Sequence, residues 1–222
     1  MVKDLFKDTK TIYFDFDGTL HNTIKIYGQS LRKGYEFLVE NKAVEDRHIS
    51  DEEAKSWLGY NVNDMWDDFL PQVDEDLKDQ AKRIVGENLN KLLVEGHAEL
   101  YPHAKYVLET LDNRGYKMIY LSNCKNVYKK SVMKAFGIEK YFDETICSES
   151  FNWMLKEDIV GQIRSDYPEE QIFVGDRFHD MEAGKANGLK TVFCSYGFGS
   201  YKEGKDATVA ISDIIELLDL LP

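Results

Sequence analysis

Apolar positions along the chain fall into two rhythms. A polar lead-in over 1–10 gives way to the run Ile12-Tyr13-Phe14, which predicts a first strand over 11–16. From 21 to about 95 the rhythm is helical. Ile24, Tyr27, Leu31, Tyr35 and Leu38 recur every three or four residues and form one stripe on a long helix. Ser50-Asp51-Glu52-Glu53 has the form of a capping box, opening a short helix that Gly59 could close. Met65, Trp66, Phe69 and Leu70 predict another turn or two, stopped by Pro71. Leu77, Ala81, Ile84, Leu89 and Leu92 predict a last helix ending near Gly96.

After Pro102 helices and strands alternate. Ala104, Val107, Leu108 and Leu111 mark a helix closed by Gly115, and Met118-Ile119-Tyr120-Leu121 is a strand ending in Ser122-Asn123. A helix through Tyr128, Val132, Ala135 and Phe136 follows, then a short strand over 145–147 and a helix over 158–163. A fourth strand, 172–174, runs into Gly175-Asp176. A helix over 181–186, a fifth strand over 191–193 and a closing amphipathic helix over 214–221 complete the pattern.

Short apolar strands separated by helices call for a parallel sheet covered on both faces. The expected fold is therefore α/β: a three-layer, Rossmann-like core formed by 1–20 and 97–222, with 21–96 inserted as a small α-helical cap. About four helices are too few for a comfortable independent core, so their stripes should bury against one another and partly over the larger lobe.

Composition narrows the function. Of 222 residues, 43% are hydrophobic and 31% charged, as in a folded, water-facing protein. No apolar run approaches the roughly 20 residues of a membrane span. The start, Met1-Val2-Lys3-Asp4-Leu5, lacks the apolar segment of a secretory signal, so a cytoplasmic location is expected. A net charge of −12 without a Lys/Arg cluster argues against a nucleic-acid partner. A small anionic substrate fits better, since a metal and a few cations can reverse the field inside one cleft. Cys124, Cys147 and Cys194 match neither a zinc spacing nor a disulfide framework and read as free thiols.

Ligands on parallel sheets sit beyond the carboxyl ends of the strands. Those ends carry Asp15 and Asp17, then Ser122 and Asn123, then Asp176 and Asp180. Each taken alone could be turn or cap chemistry, and Lys156, between the third strand and a helix, could be a surface lysine. Jointly they describe a site. Four carboxylates at one rim repel without a cation, and Mg2+ suits oxygen ligands shared with a phosphate. A phosphoryl group could then lie between the metal and Lys156, with an aspartate able to attack it and carry it as an aspartyl-phosphate.

Asp15-Phe16-Asp17-Gly18-Thr19-Leu20, Leu121-Ser122-Asn123, Lys156 and Val174-Gly175-Asp176-Arg177-Phe178-His179-Asp180 resemble, in order, the four motifs of the haloacid dehalogenase-like hydrolase superfamily. The helical block after the first motif is similar to the cap of its phosphoglycolate phosphatase and β-phosphoglucomutase subclass. The resemblance covers nearly the whole chain. It implies a Mg2+-dependent phosphatase acting on a small phosphorylated metabolite, as a monomer or homodimer, with Asp15 as nucleophile and Asp17 as acid and base. Asp15, the backbone carbonyl of Asp17 and Asp176 would ligate the metal, with Asp180 either a further ligand or the group that orients one. Ser122, Asn123 and Lys156 would hold the phosphoryl oxygens.

A phosphosugar mutase and a non-catalytic binding protein on the same fold are the alternatives. Tyr27-Gly28 stands where mutase relatives carry a histidine, and Asp17 weighs against a dehalogenase. The chain departs from the pattern at His21-Asn22, where an apolar residue and Asp are common, at Glu157 in place of a proline, and at His103 in place of a glycine. His21, His97, His103 and His179 match no zinc spacing and are candidates for hinge or substrate contacts. Trp57, Tyr60 and Trp66 read as packing residues, although Gly59-Tyr60-Asn61 lies where relatives place a cap loop that reaches the active site.

Overall fold

The computed structural model describes residues 2–222. Six strands form one parallel sheet: β1 (Thr11–Phe14), β2 (Lys117–Ser122), β3 (Glu144–Cys147), β4 (Gln171–Gly175), β5 (Lys190–Cys194) and β6 (Val209–Ile211), in the order β3-β2-β1-β4-β5-β6. β1 is central, with Phe14 in register with Tyr120 on one side and Val174 on the other. The chain reverses its direction of travel across the sheet at β1, which is where a parallel sheet opens a crevice.

Strand alternation sorts the core. Ile12, Phe14, Met118, Tyr120, Ile172 and Val174 point to one face, packed with α5 (Ala104–Asn113), α6 (Asn126–Phe136) and α10 (Leu217–Leu220). Tyr13, Ile119, Leu121 and Phe173 point to the other, against Ile159 and Val160 of α7 (Lys156–Ile163) and Ala183 of α8 (Phe178–Ala186). Both faces are therefore covered, as the unbroken apolar strands require.

Between β1 and β2 lie α1 (Ile24–Glu40), α2 (Asp51–Ser56), α3 (Val62–Phe69) and α4 (Glu75–Val94). Leu31, Tyr35, Leu38, Met65, Trp66, Phe69, Ala81 and Val85 form a core of their own, while Ile26, Leu92 and Leu93 pack with the sheet's helices. The chain enters and leaves this block side by side: Asn22 N donates to Glu99 O and Tyr101 N to Leu20 O, both at 2.9 Å.

Several boundaries differ from expectation. β1 stops at Phe14 rather than 16, because the chain turns at once and Phe16 O accepts the N–H groups of Leu20 and His21 at 2.9 Å. α2 is capped by the Ser50 hydroxyl, as its capping box predicts, but ends at Ser56; Gly59, at φ +92°, belongs to the following loop. α7 starts at Lys156 rather than 158. The sixth strand has three residues, too few for a pattern. The closing segment is a 3-10 turn, Ile214–Glu216, capped by Asp213, followed by the four residues of α10. α9 (Tyr201–Gly204) is a single turn behind the loop that follows β5.

Candidate active site

The site begins where β1 ends. Asp15 N still donates to Val174 O at 2.9 Å, so Asp15 is fixed between two strands while its carboxylate projects beyond the sheet. Gly18, at φ +101°, makes the turn possible, and a β-carbon there would collide with the carboxylate of Asp176. Asp176 follows β4 directly. Its Oδ2 accepts from Phe198 N at 2.6 Å, in a loop after β5 whose Gly199 has no room for a β-carbon against the carbonyl of Asp176. Asp180, in the first turn of α8, turns Oδ2 back to accept from Asp176 N (3.1 Å) and Arg177 N (2.9 Å). A carboxylate satisfying the first donors of a helix is held there by both hydrogen bonds and the helix dipole.

One ammonium ties these acids together. Lys156 Nζ lies 2.5 Å from Oδ1 of Asp15 and 2.7 Å from Oδ1 of Asp180, and all three side chains are almost fully buried. The Thr19 hydroxyl lies 3.3 Å from both Asp15 and Asp176. Asp15, Asp176 and Asp180 each offer a carboxylate oxygen, and these atoms lie within 4.8 Å of one another.

Burial raises the carboxyl of Asp15 to about 7, against the opposing pull of Lys156 and with help from Asp180. Burial also pushes Asp176 well up, aided by Asp15 and Asp180. For Lys156 burial acts the other way, but the charges of Asp15 and Asp180 outweigh it and raise the group, so the ammonium stays charged. One lysine therefore does not neutralise the cluster. An all-oxygen donor set with charge left over fits a small hard dication.

Asp17 stands apart from that group. Its Oδ1 accepts from the Thr23 hydroxyl (2.5 Å) and the Tyr128 hydroxyl (2.7 Å) and lies 3.0 Å from His21 Nδ1. Asp17 accordingly does not belong to the group of carboxylates whose oxygens lie within 4.8 Å of one another.

A cavity of about 680 Å³ is lined by Asp15 and Asp17 but not by Lys156, Asp176 or Asp180. Asp15, Asp17, Ser122 and Asn123 line its floor, and Tyr27, Trp57, Tyr60, Met65, Trp66 and Leu89 are among its upper walls. The three aromatic residues read as packing side chains thus also face the cavity, although Trp66 is nearly fully buried. Two core side chains grip the loop above: Asn123 Nδ2 donates to Gly59 O at 2.9 Å, and the Arg177 guanidinium donates to Leu58 O and lies 5.3 Å over the Tyr60 ring. Glu203 holds Arg177 from behind at 2.9 Å.

Of the four candidate histidines, His21 is buried beside Asp17, and His179 packs on Phe178 and Tyr60, where burial lowers it to about 4. His97 and His103 are exposed partners of Glu95 and Asp213. His103 has φ +65°, the left-handed conformation that explains why a glycine suits this position. Cys124 and Cys147 are buried free thiols with sulfurs 3.4 Å apart.

Sequence reasoning missed Thr19, Thr23, Tyr128, Arg177 and the Phe198 loop. Thr23 and Thr19 stand close enough to the first motif to be found by proximity. Tyr128 carried no signal beyond an apolar position on a helix stripe.

Residues 12–194 match the family model described as haloacid dehalogenase-like hydrolase. The chain is 26% identical over 222 residues to a phosphoglycolate phosphatase of Aquifex aeolicus, covering 95% of this chain and 97% of that one. It is 28% identical over 206 residues to a phosphoglycolate phosphatase of Pasteurella multocida, covering 85% and 87%. A crystal structure of a predicted phosphoglycolate phosphatase from Haemophilus somnus superposes with a TM-score of 0.81 at 23% identity, over 96% of this chain and 97% of that one. Among the described residues no helix is long and apolar enough to cross a membrane.

Proposed function

We propose that this chain, which belongs to the haloacid dehalogenase-like hydrolase family, is a phosphatase that cleaves a small phosphomonoester by passing the phosphoryl group through Asp15. The observation that carries this reading is the contact of buried Lys156 with Asp180 and with Asp15, the one of the three that lines the cavity. An aspartate held beside a permanent cation, at the bottom of a cleft, is placed to attack phosphorus.

Asp15 attacks, the bond to the leaving oxygen breaks, and Asp17 supplies that oxygen with a proton. Asp17 then takes a proton from the water that attacks the phosphoryl group on Asp15, and phosphate departs. Ser122, Asn123 and Lys156 hold the phosphoryl oxygens. Mg2+ is the metal that Asp15, Asp176, Asp180 and the carbonyl of Asp17 would hold, and it supplies positive charge that offsets the phosphoryl oxygens.

Residues 21–96 act as a cap on a catalytic core made of 1–20 and 97–222. Support comes from the paired crossings at 20–22 and 99–101 and from the grip of Asn123 and Arg177 on the loop at 58–60. The cavity beneath is in the size range of ligands larger than a two-carbon acid, so sugar phosphates and nucleotides belong in the substrate screen beside phosphoglycolate. Purified protein should release phosphate from members of such a panel with Mg2+, and Asp15→Asn should not. Turnover retained in Asp15→Asn contradicts the assignment, and an isomerised phosphosugar without free phosphate reassigns the chain as a mutase.

A further inference from the structure

The three contacts to Asp17 all fall on one oxygen. Oδ1 takes the hydroxyls of Tyr128 and Thr23 and faces His21 Nδ1, whereas Oδ2 has no partner among the described residues. The side chain keeps 16% of its surface exposed and lines the cavity, so Oδ2 is the oxygen left without a protein donor.

Two of these partners, His21 and Tyr128, are built in firmly. His21 is fully buried, its ring 5.2 Å from that of Phe16 and 5.3 Å from that of Phe136, and its Nε2 has no partner among the described residues. A buried N–H without an acceptor is rarer than a buried lone pair without a donor. The proton therefore belongs on Nδ1, where it points to Asp17. Tyr128 projects from α6 of the core, its hydroxyl 3.1 Å from His21 Nδ1. That hydroxyl donates to Oδ1 of Asp17 at 2.7 Å.

We propose that Tyr128 and His21 are positioning residues that occupy Oδ1 of Asp17 and thereby present Oδ2 alone to the leaving oxygen. The proposal rests on the role of Asp17 given above. In the first half-reaction the new bond joins an Asp15 oxygen to phosphorus, the bond from phosphorus to the leaving oxygen breaks, and that oxygen takes the proton from Oδ2. In the second, attacking water returns a proton to Oδ2 as the Asp15–phosphorus link breaks. Oδ1 accepts hydrogen bonds in both halves, so neither Tyr128 nor His21 has to rearrange.

The test compares phenyl phosphate with p-nitrophenyl phosphate, which share a shape but differ in how far the leaving oxygen needs a proton. Their kcat/KM ratio reports the first half-reaction alone. Tyr128→Phe should lower the phenyl to p-nitrophenyl ratio by about 3- to 10-fold, a fraction of what general acid catalysis supplies. His21→Leu should do the same, and His21→Asn, whose amide can replace the Nδ1 donor, should restore the ratio. These two variants decide the question if Tyr128→Phe does not fold. Equal losses on both esters, or no loss on either, overturn the proposal. Asp17→Asn separates the two levels: if it leaves the ratio unchanged, the role of Asp17 fails, whereas if it lowers the ratio and the Tyr128 and His21 variants do not, only the positioning fails.

Discussion

The ammonium of Lys156 stands 2.5 Å from Oδ1 of Asp15, across 141 residues of sequence, with both side chains almost fully withdrawn from solvent. Removing one partner of such a pair leaves a buried charge without compensation, at a cost of about 3–5 kcal/mol. Lys156→Met should therefore lower the thermal midpoint of the metal-free protein, at about 2–4 °C per kcal/mol for a chain of this size. Its phosphatase turnover should fall by about 100-fold or more. A variant with unchanged midpoint and turnover would show that the pair matters to neither.

Stability of the metal-free protein should depend on pH in a defined direction. The carboxyl of Asp15 titrates at about 7 in the fold against 3.8 when free, mainly through burial. The folded state thus holds the proton more tightly, and the resulting stabilisation is complete below about pH 4 and lost as pH rises through about 7. Chelated protein should melt at progressively lower temperature across that window. Asp15→Asn should flatten the dependence, and added Mg2+ should raise the midpoint most at the alkaline end.

How much of this was legible in sequence depended on distance along the chain. The acid pair at Asp15 and Asp17 stands next to its own glycine turn, and Ser122 and Asp176 each end an apolar run, so strand ends marked them. The sheet followed for the same reason, since each strand but the last is a short apolar run. Lys156 could be assigned only by motif order, because its partners are 24 and 141 residues away. The direction of Asp17 was not legible at all. It depends on the hydroxyl of Tyr128, 111 residues on, which an apolar periodicity cannot distinguish from any other ring.

The grip of Arg177 on the cap loop should appear in KM. Its guanidinium donates to Leu58 O and is held by Glu203, so Arg177→Ala frees the loop that carries Tyr60 and keeps the backbone hydrogen bond from Arg177 N to Asp180. KM should rise by about 10-fold, with a smaller change in kcat, as expected when a positioning contact is lost. Proteolytic cleavage near 56–60 should quicken alongside. A fall in kcat alone would place Arg177 in the chemistry instead.

His103 offers a check on backbone strain remote from the site. At φ +65° an L-residue is disfavoured by about 1–2 kcal/mol, while its exposed pair with Asp213 is worth at most about 1 kcal/mol. Glycine's greater freedom when unfolded returns part of the gain. His103→Gly should therefore raise stability by about 0.5 kcal/mol in a denaturant titration with unchanged slope, and a loss beyond about 1 kcal/mol would mean that the ion pair outweighs the strain.

Every role proposed for the site requires Asp15 to carry the phosphoryl group. The direct measurement is an acid quench of enzyme turning over p-nitrophenyl phosphate with Mg2+, followed by peptide mass analysis. With Asp15 as nucleophile, one added phosphoryl group, removed by neutral hydroxylamine, should appear on the peptide containing Asp15 and on no other. Phosphate released at full rate with that peptide never modified, or the label found on a different residue, would contradict it.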